Sequence, residues 1–128
     1  PVVIGYPIMT NAIALMSPSS FRIGLDKYQY DYTVLPGFSV GGRPVYRCCR
    51  GRDSSSAALY FYYNESFTVW VAEGVQDVTN ALDIERGGEP AFRAVDGDVI
   101  SEGSHAWQRY DSRIGGWSAP SFFLTKHL

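Results

Sequence analysis

The sequence predicts a mainly β domain, a small antiparallel sheet or partly closed barrel or sandwich, preceded by an extended N-terminal arm. Three observations carry that expectation. Aromatic residues make up 15% of the 128 positions, and side chains of that shape pack best on a pleated sheet. Thirteen Gly and seven Pro punctuate the chain at short intervals, which suits strands joined by turns better than long helices. Two apolar, aromatic-rich runs, Ala57 to Tyr63 and Phe67 to Ala72, flank the turn-tolerant Asn64-Glu65-Ser66, the composition and loop length of a β-hairpin. With 45% hydrophobic residues the chain is long enough for one core and too short for two. Residues 1–20 form the arm and 21–128 the domain.

In chain order, the arm carries Pro1, Pro7 and Pro18 among small residues, with room for a short strand over Val2 to Ile4 and a helical turn over Asn11 to Met16. From Phe21 to Leu35, Tyr28, Tyr30 and Tyr32 alternate with Gln29, Asp31 and Thr33, so one strand with an aromatic face is expected. Pro36-Gly37 reads as a turn and Gly41-Gly42 as a second flexible point, before a short strand from Val45 to Cys49 opened by Arg43-Pro44. Gly51 to Ser56 is polar loop. On the strand that follows, Leu59, Phe61 and Tyr63 share one face and Tyr60 and Tyr62 the other. Both faces are apolar, so the strand is either central between two layers or lines a contact surface.

Val75, Val78 and Leu82 fit helical spacing, which leaves Val75 to Glu85 open between a short helix capped by Asp77 or Thr79 and a loop with strand. Gly87-Gly88-Glu89-Pro90 breaks what precedes it. One or two strands are expected from Phe92 to Ile100 around Gly97, another over His105 to Tyr110, a turn at Gly115-Gly116, and a last strand containing Phe122 to Leu124. Tyr60, Trp70, Trp107 and Tyr46 are the expected core.

Charge narrows the functional classes. Eleven Lys and Arg stand against thirteen Asp and Glu, a formal net charge of -2, so no basic surplus exists for a nucleic-acid partner. The apolar stretch Ile8 to Met16 is interrupted by Thr10 and Asn11 and falls short of the roughly 20 residues that a membrane span needs. Catalysis has a thin inventory: His105, His127 and the adjacent thiols Cys48 and Cys49, whose side chains point to opposite faces of a strand. The neighbouring Arg47 and Arg50 favour thiolate, which makes both cysteines candidate reactive thiols. Asp96-Gly97-Asp98 with Glu102 lacks the full ligand spacing of a calcium loop, so no metal and no cofactor are expected. Asn64-Glu65-Ser66 is an N-glycosylation sequon at a hairpin tip, and points towards a secreted or surface context.

The succession Val40-Gly41-Gly42-Arg43-Pro44-Val45-Tyr46, Leu59 to Tyr63, Trp70-Val71, Trp107 and Gly116-Trp117 with Pro120 resembles a small tryptophan- and tyrosine-rich β-module repeated in large eukaryotic proteins of protists, algae and marine invertebrates. The resemblance covers 32–124. It implies a β-rich unit strung with other domains, and it carries no catalytic residue over to this chain.

Three roles follow in rank. The first is a non-enzymatic interaction or structural module that meets a protein partner within a larger assembly, because Tyr, Trp and Arg are enriched at interface hot spots. The second is a carbohydrate-binding module, a glycan being held on exposed aromatic rings. The third is a cysteine-dependent enzyme. Phe61, Tyr63, Tyr110 and Trp117 are the expected contact residues for either binding role. The apolar arm is expected to dock on a partner, with wrapping over its own domain as the other course.

Overall fold

A computed structural model of the chain describes residues 17–25, 28–48, 59–95, 97 and 99–128. Most of the expected arm, Cys49, Asp96 and Asp98 lie outside the described residues, and with them the arm's docking and both Asp positions of the calcium motif. The elements in order are β1 (Ser20–Leu25), β2 (Tyr28–Val40), β3 (Arg43–Cys48), β4 (Leu59–Asn64), β5 (Val69–Gly74), α1 (Ala81–Glu85), β6 (Glu89–Ala94), β7 (Gly103–Asp111), β8 (Gly116–Trp117) and β9 (Ser121–His127). Each strand from β1 to β7 pairs antiparallel with the next, β7 pairs with both β8 and β9, and β9 returns to β1. The result is a closed eight-stranded up-and-down barrel with β8 as an additional short strand. None of the helices among the described residues is long and apolar enough to cross a membrane.

The single strand expected from Phe21 to Leu35 is two. Phe21 faces Tyr32 and Ile23 faces Tyr30 across the β1–β2 pair, because only by folding back can both apolar rows share one interior. The turn expected at Pro36-Gly37 is instead a bulge inside β2: the β2–β3 register shifts between Val34 and Ser39, with Gly37 at φ +82°. A bulge tolerates both a proline without an N–H and a left-handed glycine. The chain reverses at Gly41-Gly42, where φ values of +61° and +73° between the paired Val40 and Arg43 suit a two-residue hairpin of the primed type.

The hairpin over β4 and β5 pairs Tyr63 with Trp70 and Asn64 with Val69, so its loop is the four residues 65–68. Phe67, expected in the strand, sits in that loop. Its N–H donates to Asn64 Oδ1 at 3.1 Å, and Thr68 takes φ +55° to bring the chain back. The open question over Val75 to Glu85 resolves as a loop followed by the one-turn α1. Its cap is Asn80 rather than Asp77 or Thr79: Asn80 Oδ1 accepts from the N–H groups of Leu82 (2.9 Å) and Asp83 (3.3 Å), while the Asp83 carboxylate accepts from Asn80 N–H at 3.1 Å. This is a reciprocal capping box. Among its described residues, Phe92 to Ile100 contributes to one strand, and Pro90 joins it at a second register shift, opposite Glu73.

Inside the barrel, Phe61 is the hub. It stacks on Trp70 (centroids 5.0 Å, 11°) and meets Phe21, Tyr32, Tyr46 and Trp107 at 5.3 to 6.1 Å. An eight-stranded barrel is just wide enough for side chains to fill, and a void of about 10 Å³ lined by Ile23, Tyr30, Tyr32, Phe61, Phe92 and Trp107 among others is what remains at the centre. That is room for one water at most. The expected core residues Tyr46, Trp70 and Trp107 are buried here. Tyr60 is buried too, but in a second cluster outside the barrel, where Val40, Val45, Tyr60, Tyr62 and Val71 are covered by Val75, Val78, Ala81 and Ile84 of the β5–β6 connection. Strand β4 is thus central between two layers, which decides the alternative posed by its two apolar faces.

Candidate functional site: an uncovered barrel wall

Among the described residues, the layer over β2 to β5 has no counterpart on the other half of the barrel. Strand pairing fixes which side chains point outward there: Arg22 and Gly24 on β1, Phe122, Leu124 and Lys126 on β9, Ser104, Ala106, Gln108 and Tyr110 on β7, and Arg93 on β6. Phe122 and Leu124 stand 66% and 58% exposed, and Val95, whose N–H bonds the Ala106 carbonyl, is 49% exposed beside them. Gly24 lies opposite Leu124 in register. With no side chain at that position, a groove of about 440 Å³ runs between Phe122 and Leu124 on one side and Gln29 on the other, with Arg22 and Lys126 at its rim.

Polar groups on this wall are held in place. Arg22 grips Asp31 with two bonds, Nε to Oδ1 at 2.7 Å and a terminal nitrogen to Oδ2 at 3.1 Å, and that bond and the Asp31 charge raise the guanidinium further above its usual range. Lys126 has no ion pair among the described residues. Towards β8, Arg93 Nε donates to Gln108 Oε1 at 2.7 Å and the Gln108 amide donates to the Ser118 carbonyl at 3.0 Å. Ser118 stands at the break between β8 and β9: its N–H donates to the Arg109 carbonyl and its hydroxyl accepts from Arg109 N–H at 3.0 Å, continuing the ladder across the break.

The residues expected to make contacts fall in different places. Phe61, completely buried at the centre of the barrel, is excluded from any outer surface, since its odd-numbered face turned inward. Tyr63, half-buried, packs edge-on against Trp70 (5.7 Å) beneath the Arg43 guanidinium at 3.8 Å. Tyr110 and Trp117 do share the uncovered wall, edge to face at 5.4 Å, with Arg93 over the Trp117 ring at 4.4 Å. Asn64 is at the hairpin end, its side-chain oxygen holding Phe67 N–H. Cys48 is buried, facing the interior, while Cys49 lies outside the described residues.

The two histidines brace one end of the barrel. Nε2–H of His105 donates to the Ser101 carbonyl at 2.7 Å, and that of His127 donates to the Ile100 carbonyl at 2.6 Å, with His127 Nδ1 3.7 Å from Glu102. Among the described residues, no three His, Cys, Asp or Glu side chains gather as metal ligands would.

Sequence reasoning missed Phe122, Leu124 and Lys126 as a surface. The signal was available: Ser121 to His127 alternates with apolar residues on both faces, Phe122 and Leu124 on one and Phe123 on the other, the same pattern noticed on β4. What differs is that the outer face of β4 is covered by the chain's own connection, whereas among the described residues none covers that of β9. No family model, curated protein or solved structure matches the chain in the comparisons made.

Proposed function

We propose that the chain is a non-enzymatic interaction module that makes protein–protein contacts within a larger assembly through its β6–β7–β9–β1 wall. One observation carries this reading: Phe122 and Leu124 project from adjacent outward positions of β9, covered by no other element among the described residues, at 66% and 58% exposure. Covering side chains of this size stabilises a complex by about 1.5 to 3 kcal/mol each before ordering costs. The supporting rim of Arg22, Lys126, Arg93, Tyr110 and Trp117 has the composition of a hot-spot surround.

The geometry favours a protein over a glycan. Arg93 occupies a face of Trp117 and Arg43 a face of Tyr63, so the rings a sugar would stack on are already engaged. A photo-crosslinking residue placed at 122 in the full-length native context is the test. Discrete adducts with an identifiable protein, lost when Leu124→Asp is added at unchanged melting temperature, are expected; adducts that form only from residues on the β2–β5 side would sink the reading.

A further inference from the structure

Charge on the molecule is divided between its two walls. Among the described residues of the uncovered half, Arg22, Arg93 and Lys126 face outward against Asp31 of the adjoining strand and the exposed Glu89 at the start of β6, three cations less two acids, or +1. The chain as a whole is -2, so all other residues together carry -3. Residues 65–88 more than account for that: they hold Glu65, Glu73, Asp77, Asp83 and Glu85 with only Arg86 opposing them, five acids less one cation, or -4. These residues form the hairpin tip, β5 and the connection that covers the β2–β5 half of the barrel. Each wall also has its own unsupported apolar groups: Phe122 and Leu124 on the cationic side, Phe67 (70% exposed) and Leu82 (59% exposed) on the acidic side.

Resting on the interaction-module reading above, we infer that the cationic wall receives a second copy of this chain, which presents its acidic 65–88 face. The fit has a specific centre. Glu65 and Glu85 border one cleft of about 280 Å³, floored by Val40, Gly41 and Tyr62. Lys126, which has no ion pair among the described residues, has the reach and charge to enter it, while Phe122 and Leu124 meet the apolar groups around the cleft. Two like walls brought together would oppose +1 to +1; wall against acidic face joins opposite signs, which steers encounter and fixes orientation. Because the two faces occupy opposite halves of one barrel, the contact is heterologous: each copy that docks leaves one face of each kind open, so assembly propagates or closes into a ring.

Sedimentation of the full chain over about 1 μM to about 1 mM, at low and high salt, reads the association. The expected result is a weight-average mass that climbs above the 14.2 kDa monomer with concentration and falls back at about 1 M salt, where screening shortens to about 3 Å. Phe122→Asp with Lys126→Glu removes one face, and Leu82→Asp with Glu85→Lys removes the other; all four side chains are exposed, and unchanged thermal melts verify folding. Each double variant alone is then monomeric, and an equimolar mixture forms a one-to-one dimer and nothing larger, since each retains the face the other needs. A monomer at every concentration overturns the inference while leaving another partner for the wall, detectable by the photo-crosslink. Self-association that survives Leu82→Asp with Glu85→Lys also overturns it, because the contact is then wall to wall.

Discussion

Trp70 shows how one side chain ties the hairpin to the interior. It is 3% exposed, stacked on Phe61 and touched edge-on by Tyr63. Trp70→Ala leaves a cavity where three rings met, and a loss of about 3 to 5 kcal/mol is expected, read as a lowered thermal midpoint. Cys48 is 5% exposed on the inward face of β3. Labelling of the native protein with a thiol reagent is therefore expected to spare Cys48 until denaturant is added, and peptide mass spectrometry locates the label; rapid native modification at Cys48 would show that the barrel opens there. That adjacent Cys48 and Cys49 point to opposite faces was legible from the alternation of the strand, but not that Cys48, expected as a reactive thiol, is the buried one; nor was the burial of Phe61. Leu59, Phe61 and Tyr63 and their alternates Tyr60 and Tyr62 are equally apolar, and nothing local to β4 says which row faces the interior.

At the scale of elements, α1 is five residues long and too short to hold itself by backbone bonds alone. Its capping box and the burial of Ile84 fasten it. Asn80→Ala is expected to cost about 1 kcal/mol, with increased amide exchange confined to 75–88 and the barrel strands unaffected. The Asp83 carboxyl is held below its usual value of 3.8, first by the Thr79 backbone N–H and then by the Asn80 N–H and the Thr79 hydroxyl. A carboxyl lowered by folding contributes stability that is complete above that usual value and is lost as pH falls through the lower folded one. Protection of the Thr79 and Asn80 amides, taken relative to the intrinsic exchange rate at each pH, should therefore fall below about pH 4; constant protection there would mean the carboxylate does not anchor the cap. The hairpin over 59–74 was readable because turn residues and period-two runs coincide, whereas Gly41-Gly42 read only as a flexible point. The bulge at Pro36-Gly37 was not readable, since a proline–glycine pair reads as a reversal unless the neighbouring strand supplies pairing on both sides of it, as β3 does for β2. Likewise the cap at Asn80 depends on Ile84 finding the outer tyrosine cluster, a contact made by tertiary packing.

Across the whole molecule, closure concentrates tyrosine hydroxyls in dry surroundings. Burial pushes Tyr46 up to about 12 and raises Tyr32 and Tyr62 as well, Tyr62 with help from its bond to Glu73. Groups raised by folding stabilise the native state fully below their unfolded value of 10 and cease to do so as pH climbs past it. Each contributes up to about 1.4 kcal/mol per pH unit in that window. Cooperative alkaline unfolding is expected between pH 10 and about 12, with tyrosinate absorbance and loss of circular dichroism coinciding, and Tyr46→Phe should move the onset upward. Tyrosinate appearing well before the loss of dichroism would mean that the hydroxyls reach water in the folded barrel.

Closure also decides how the barrel answers to force. The first and last strands are antiparallel neighbours, with Phe21 opposite His127 and Gly24 opposite Leu124, and the Leu128 N–H bonded to the Ser20 carbonyl at 3.1 Å. Tension applied at Ser20 and Leu128 therefore loads the β1–β9 seam one rung at a time, beginning at Leu128, as a zipper is opened. It does not shear all the rungs together. A handle moved from residue 128 to the exposed Ile114, in the β7–β8 turn, draws force across β7 and β9 instead. In an optical trap the first geometry should yield at the lower force of the two, so the same fold is soft when pulled by its ends and stiff when pulled through its wall.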